Sequence, residues 1–133
     1  MTEKELSRYY WLKREVTNLE ERLEEFGSGI KAVNPEADHS SSGAHISIQQ
    51  KRAEIAEKLI NARITALEEY IKIESYIETV EDSEIRQIMR YRFLDLLNWY
   101  SIGELMNCDR TTASKKIRTY LKLSHKSHSK VIK

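Results

Sequence analysis

One cysteine, Cys108, and one proline, Pro35, occur in 133 residues, beside four glycines and two phenylalanines. A single thiol excludes an internal disulfide, and no Cys/His cluster has the spacing of a zinc site, so neither a metal nor a cofactor is expected and a reducing cytoplasm is the expected compartment. No run of about 18 apolar residues is present. The first residues, MTEKELSR, are polar and mixed in charge, so neither a membrane span nor a secretory signal is expected. With few glycines and prolines to interrupt it, and rich in Glu, Lys, Arg, Leu and Ile, the chain is expected to be all-α. Its length suits one domain, or a small domain carried on a helical arm.

The net charge of +1 hides an asymmetry. Residues 1–108 hold 14 Lys and Arg against 20 Asp and Glu, whereas residues 109–133 hold eight against one. A basic end on an acidic body points toward a polyanion such as nucleic acid; a solvated lysine tail is the rival reading.

Apolar residues at Tyr9, Leu12, Val16, Leu19, Leu23 and Phe26 recur at steps of three and four, with Glu, Lys and Arg filling most gaps. This predicts a helix with a narrow heptad seam, suited to a coiled coil or to docking on another helix of the same chain. Gly27 and Gly29 are expected to end it, and residues 27–47, with Asn34, Pro35, Asp38 and the run Ser40–Gly43, read as a flexible loop. A long helix is predicted over 48–80, apolar at Ile55, Ala56, Leu59, Ile60, Ile64, Leu67, Tyr70, Ile71, Ile73 and Ile77. Apolar side chains on more than one side need two neighbours or a second subunit, so residues 1–80 are expected to form a homo-oligomer, most simply a dimer, through both helices. Glu81, Asp82 and Ser83 then offer capping groups to a third helix over about 83–97.

Residues 98–121 read NWYSIGELMNCDRTTASKKIRTYL. Ile102, Leu105 and Met106 give a first short helix an apolar face, Asn107 to Asp109 form a tight turn, and Ala113, Ile117, Tyr120 and Leu121 give a second helix its buried face. This is the pattern of a helix-turn-helix, expected within a domain spanning 81–122. Gly103 allows the second helix to cross closely, Asn107 can take the left-handed conformation that ends a helix, Cys108 plugs the space between the helices, and Asp109 is expected to cap the second. The outward face then presents Arg110, Thr111, Thr112, Ser114, Lys115 and Arg118. Arg110, Thr111 and Thr112 are placed to meet base edges in the major groove of double-stranded DNA, while Lys115, Lys116, Arg118 and Lys122 suit phosphates. The rival reading is the solvated face of a helical hairpin. Residues 123–133, with Lys126, Lys130 and Lys133, are expected to form a mobile basic tail that reaches flanking phosphates.

The stretch Asp82–Leu121 resembles the C-terminal part of phage transcription regulators of the RinA and ArpU type, which are similar to region four of bacterial sigma factors. The resemblance rests on an acidic turn before the Arg-Tyr-Arg-Phe element at Arg90–Phe93, the Trp-x-x-Ile-Gly element at Trp99–Gly103, and Arg110-Thr111-Thr112. It implies a sequence-specific transcription regulator in a bacterial host cell. Asp109 stands where the family often has serine, and Asn107 where it often has glycine. Two alternatives stay open: a small terminase subunit for DNA packaging, and a factor that binds RNA polymerase or another host protein.

His39, His45, His125 and His128 lie in the loop and the tail without ligand spacing, and the paired acids Glu20-Glu21, Glu24-Glu25 and Glu68-Glu69 have no nucleophile or base beside them. An enzyme is not expected. Tyr9, Tyr10 and Trp11 read as packing residues before stacking ones, and Trp99 as a core anchor.

Overall fold

The computed structural model describes the backbone of residues 1–32 and 42–132 and the side chains of residues 1–27 and 47–125. Among these the fold is all-helical, without a strand: α1 (Glu3–Leu6), α2 (Arg8–Ala32), α3 (Ser42–Glu78), α4 (Ser83–Met89), a π-helical turn (Arg90–Leu94), α5 (Trp99–Met106) and α6 (Arg110–Ile132). No helix among the described residues is long and apolar enough to cross a membrane. The chain divides into two compact units, Leu12–Ala66 and Met1–Trp11 with Leu67–Lys133.

In the first unit, Leu12, Val16, Leu19, Leu23 and Phe26 of α2 are the side chains withdrawn from water, as the seam predicts. Ile55, Leu59 and Ala66 of α3 are buried with Val16. The helices run antiparallel: Arg63 Nη2 donates to Glu20 Oε1 at 3.1 Å, and Gly27 lies beside the Arg52 guanidinium. Gly27 and Gly29, expected to end the helix, lie inside α2, which continues to Ala32. A helical glycine costs about 1 kcal/mol relative to alanine, and burying part of Leu23 and Phe26 offsets that, at roughly 1 kcal/mol for each half-buried side chain. Of the expected loop, residues 33–41 lie outside the described residues, and α3 starts at Ser42.

The second unit is built on a core of Leu6, Ile73, Ile77, Val80, Ile85, Ile88, Met89, Phe93, Ile102, Ala113, Ile117 and Leu121. Thr2 caps α1 by accepting from the Glu5 amide at 3.2 Å, and Tyr9 stacks edge-on against Tyr70, centroids 5.4 Å apart. Asp82 caps α4, its Oδ1 accepting from the amides of Glu84 (2.8 Å) and Ile85 (3.2 Å). The third helix, expected to run to 97, instead passes into the π turn, which holds the Arg90–Phe93 element. There the Asp95 amide donates to Arg90 and the Leu97 amide to Tyr91. Arg92 secures the exit: its Nη1 donates to the Leu97 carbonyl at 3.1 Å, and its guanidinium lies 4.8 Å from the centre of the Trp99 ring. Leu96 is held at φ 60°, a conformation that costs a side-chain-bearing residue about 1–2 kcal/mol.

Candidate functional site

α5 opens on Asn98, whose Oδ1 accepts from the Ser101 amide at 2.8 Å. It ends at Asn107 with φ 55° and ψ 45°, the left-handed conformation that asparagine tolerates better than most residues. The Cys108 amide donates to the Gly103 carbonyl at 2.9 Å, closing the turn. Gly103 is required by proximity: a Cβ there would stand 2.6 Å from the Cys108 carbonyl oxygen and 3.1 Å from the Arg110 amide. Asp109 bonds at the start of α6 through its carbonyl, which accepts from the Ala113 amide at 3.2 Å, and not through the carboxylate expected to cap the helix. Leu105, expected on the buried face of α5, is 55% exposed. The buried arc is Trp99, Ile102, Gly103 and Met106, and Leu105 lies about 110° from its middle at ~100° per residue.

On α6, Ala113, Ile117 and Leu121 are buried and Tyr120 half-buried. Arg110, Thr111, Thr112, Lys115, Lys116, Arg118 and Lys122 are exposed, and Thr111, Lys115, Arg118 and Lys122 follow one another at steps of four, three and four along one line. Ser114, expected on this face, is buried beside Ile117 and Leu121, and its hydroxyl donates to the Thr111 carbonyl at 3.2 Å. Two of the cations are engaged: Lys116 Nζ donates to Glu84 Oε1, and Arg118 Nε lies 3.8 Å from Glu3 Oε2. Glu84 holds the Lys116 ammonium charged above its ordinary range through that hydrogen bond. Arg110, Lys115 and Lys122 have no ion-pair partner among the described residues, and all three are exposed.

No family model, curated protein or solved structure matches this chain.

Two residues beside the expected set also shape the surface. Thr119 is exposed, four residues after Lys115 and seven after Thr112, a spacing that could have placed it on the outward side. Tyr100 is largely exposed on α5 near Arg110 and Thr111, and its hydroxyl donates to the Glu104 carboxylate, which raises the phenol above its usual range. An open hollow of about 1060 Å³ lies beside Tyr100, lined also by Gly103, Asn107, Asp109, Arg110 and Thr111 among others. Among the described residues no three His, Cys, Asp or Glu side chains converge on a metal position. His125 is exposed on α6; the side chains of His39, His45 and His128, and those of Lys126, Lys130 and Lys133, lie outside the described residues. α6 does not stop near Leu121 but continues to Ile132, through most of the stretch expected as an irregular tail. The local composition lacks glycine and proline, so nothing covalent ends the helix sooner.

Proposed function

We propose that this chain is a transcription regulator that binds double-stranded DNA, with α5 and α6 forming a helix-turn-helix and the first turns of α6 entering the major groove. The observation that carries the reading is the exposed line Thr111, Lys115, Arg118 and Lys122 on a helix without a single Asp or Glu from residue 110 to the end of the chain. A purely solvated helix has no need of such one-sided charge, whereas a phosphate backbone rewards it. The turn supports the same reading, because its close approach fixes the start of α6, where Arg110, Thr111 and Thr112 are exposed for base edges. The likeness of Asp82–Leu121 to RinA and ArpU regulators points the same way, and to action in the cytoplasm of a bacterial host.

Mobility-shift titrations at two salt concentrations test this. Arg110→Ala is expected to weaken specific binding by about 1–3 kcal/mol and relax the preference at one base pair. Lys115→Ala should weaken all duplexes alike and flatten the log–log salt slope by about 0.9, while Lys116→Ala changes the slope less, since Glu84 already neutralises that ammonium. Absence of salt-dependent binding to any duplex overturns the reading.

A further inference from the structure

α3 carries two apolar lines. The inner one is buried at Ile55, Leu59, Ala66, Ile73 and Ile77. The outer one comprises Ile60, Ile64, Leu67 and Ile71, which are 57, 51, 58 and 53% exposed. Their steps of four, three and four hold them within an arc of about 60° on a helix of 3.6 residues per turn, on nearly the opposite side from the buried line. Over the same stretch the inward positions are Ala62, Ala66 and Glu69, with Tyr70 half-buried against Tyr9. α3 therefore turns its more apolar side to water in its middle, along one uninterrupted helix.

We propose that the α3 helix of a second copy of this chain covers the outer line, the two helices pairing in parallel as a two-heptad coiled coil. The spacing is that of a coiled-coil seam, with Ile64 and Ile71 at its a positions and Ile60 and Leu67 at d. Leu67 at d between Ile64 and Ile71 at a is the combination that favours two parallel strands, while Ile60 at the other d position adds apolar area without adding to that preference. Arg63 and Glu68 flank the seam on opposite sides, five residues apart, the separation at which g and e' side chains of parallel helices meet. Each Arg63 then faces a Glu68 of the other copy, while its Nη2 keeps Glu20. Antiparallel pairing loses that match and sets Arg63 against Tyr70. Glu57 and Glu74 occupy the next seam positions at either end and limit the pairing to two heptads, since like charges would face each other there. The four side chains expose roughly 400 Å² per copy, so with their flanks the pair reaches the lower edge of the ~1,200 Å² that stable complexes bury. An interface at that edge makes a concentration-dependent dimer.

Sedimentation equilibrium of the full chain across the micromolar range tests the proposal. The wild type should pass from monomer to dimer, and Leu67→Glu or Ile64→Glu should raise the Kd by about a hundredfold or more while leaving helical circular dichroism intact, because both side chains are exposed within one copy. In a Cys108→Ser background, Leu67→Cys should oxidise to a covalent dimer. A wild type that stays monomeric, or a dimer indifferent to Leu67→Glu, overturns the proposal. Cross-linking confined to a mixture of Ile60→Cys and Ile71→Cys chains overturns the parallel pairing.

Discussion

Replacing glycine by alanine should have opposite effects at two positions of this chain. At Gly27, inside α2, an added Cβ meets only the end of the Arg52 side chain, at 4.0 Å. The substitution then gains helix propensity and restricts the unfolded chain, a stabilisation of about 0.5–1 kcal/mol. At Gly103 the same propensity gain is available, but the Cβ would lie 2.6 Å from one backbone oxygen, 3.1 Å from the Arg110 amide and 3.3 Å from the Asp109 carbonyl carbon. Backbone atoms cannot rotate aside as a flexible side chain does, so relief requires moving α6 away from α5. Overpacking of this kind costs typically 1–3 kcal/mol, and a backbone clash belongs at or beyond the upper end. After subtracting the propensity gain, Gly103→Ala should destabilise by about 2 kcal/mol, a fall in Tm of roughly 5–10 °C. Urea denaturation followed by circular dichroism measures both variants against the wild type. A Gly103→Ala chain as stable as Gly27→Ala would refute the account of the turn, because it would mean that α5 and α6 do not approach as closely as the structure has them.

Two further outcomes follow from the interior. Glu69 is only 8% exposed, on the inner line of α3 between Ala66 and Ile73, and no ion pair among the described residues compensates it; Glu69→Leu should raise stability by about 1–2 kcal/mol, and a lower Tm would contradict this. The Tyr76 hydroxyl is buried beside Ser124 without a well-formed hydrogen bond, and burial, then Tyr120, push its pKa above 10.0. The folded state therefore holds this proton more tightly than the unfolded chain, so that stability is complete below pH 10.0 and falls as pH climbs through the raised value. Tyr76→Phe should be neutral or slightly stabilising near pH 8 and lose less stability than the wild type near pH 11; equal losses in paired denaturation curves would count against it.

The features legible in the sequence are those written in local periodicity. Leu12, Val16, Leu19, Leu23 and Phe26 mark the seam of α2 because polar residues surround them, and Asp82, Asn98 and Asn107 mark helix ends because their side chains or backbone preferences act within a few residues. α3 is harder: in its middle the outer line Ile60, Ile64, Leu67 and Ile71 is more apolar than the inner one, so hydrophobicity shows that two sides need cover without telling which is covered within the chain. Gly27 and Gly29 mislead because a propensity of about 1 kcal/mol is overridden by burial elsewhere along the helix. The π turn is invisible, since it depends on where Arg92, Phe93 and Leu94 must reach and not on any local pattern. Within the candidate site, the burial of Ser114 could have been read from its spacing to Ile117 and Leu121. The engagement of Lys116 with Glu84 and of Arg118 with Glu3 could not, because each partner belongs to a helix distant in sequence.

The length of α6 has a mechanical consequence. At ~1.5 Å per residue its 23 residues make a rod of about 34 Å, against a major groove about 12 Å across. If its first turns occupy the groove, most of the rod projects beyond the sugar-phosphate ridge, like the shaft of a key standing clear of the lock. In that case a force or a binding partner acting on the part of the rod beyond the exposed Leu123 would be transmitted along it to the angle at which Arg110 is offered to the groove.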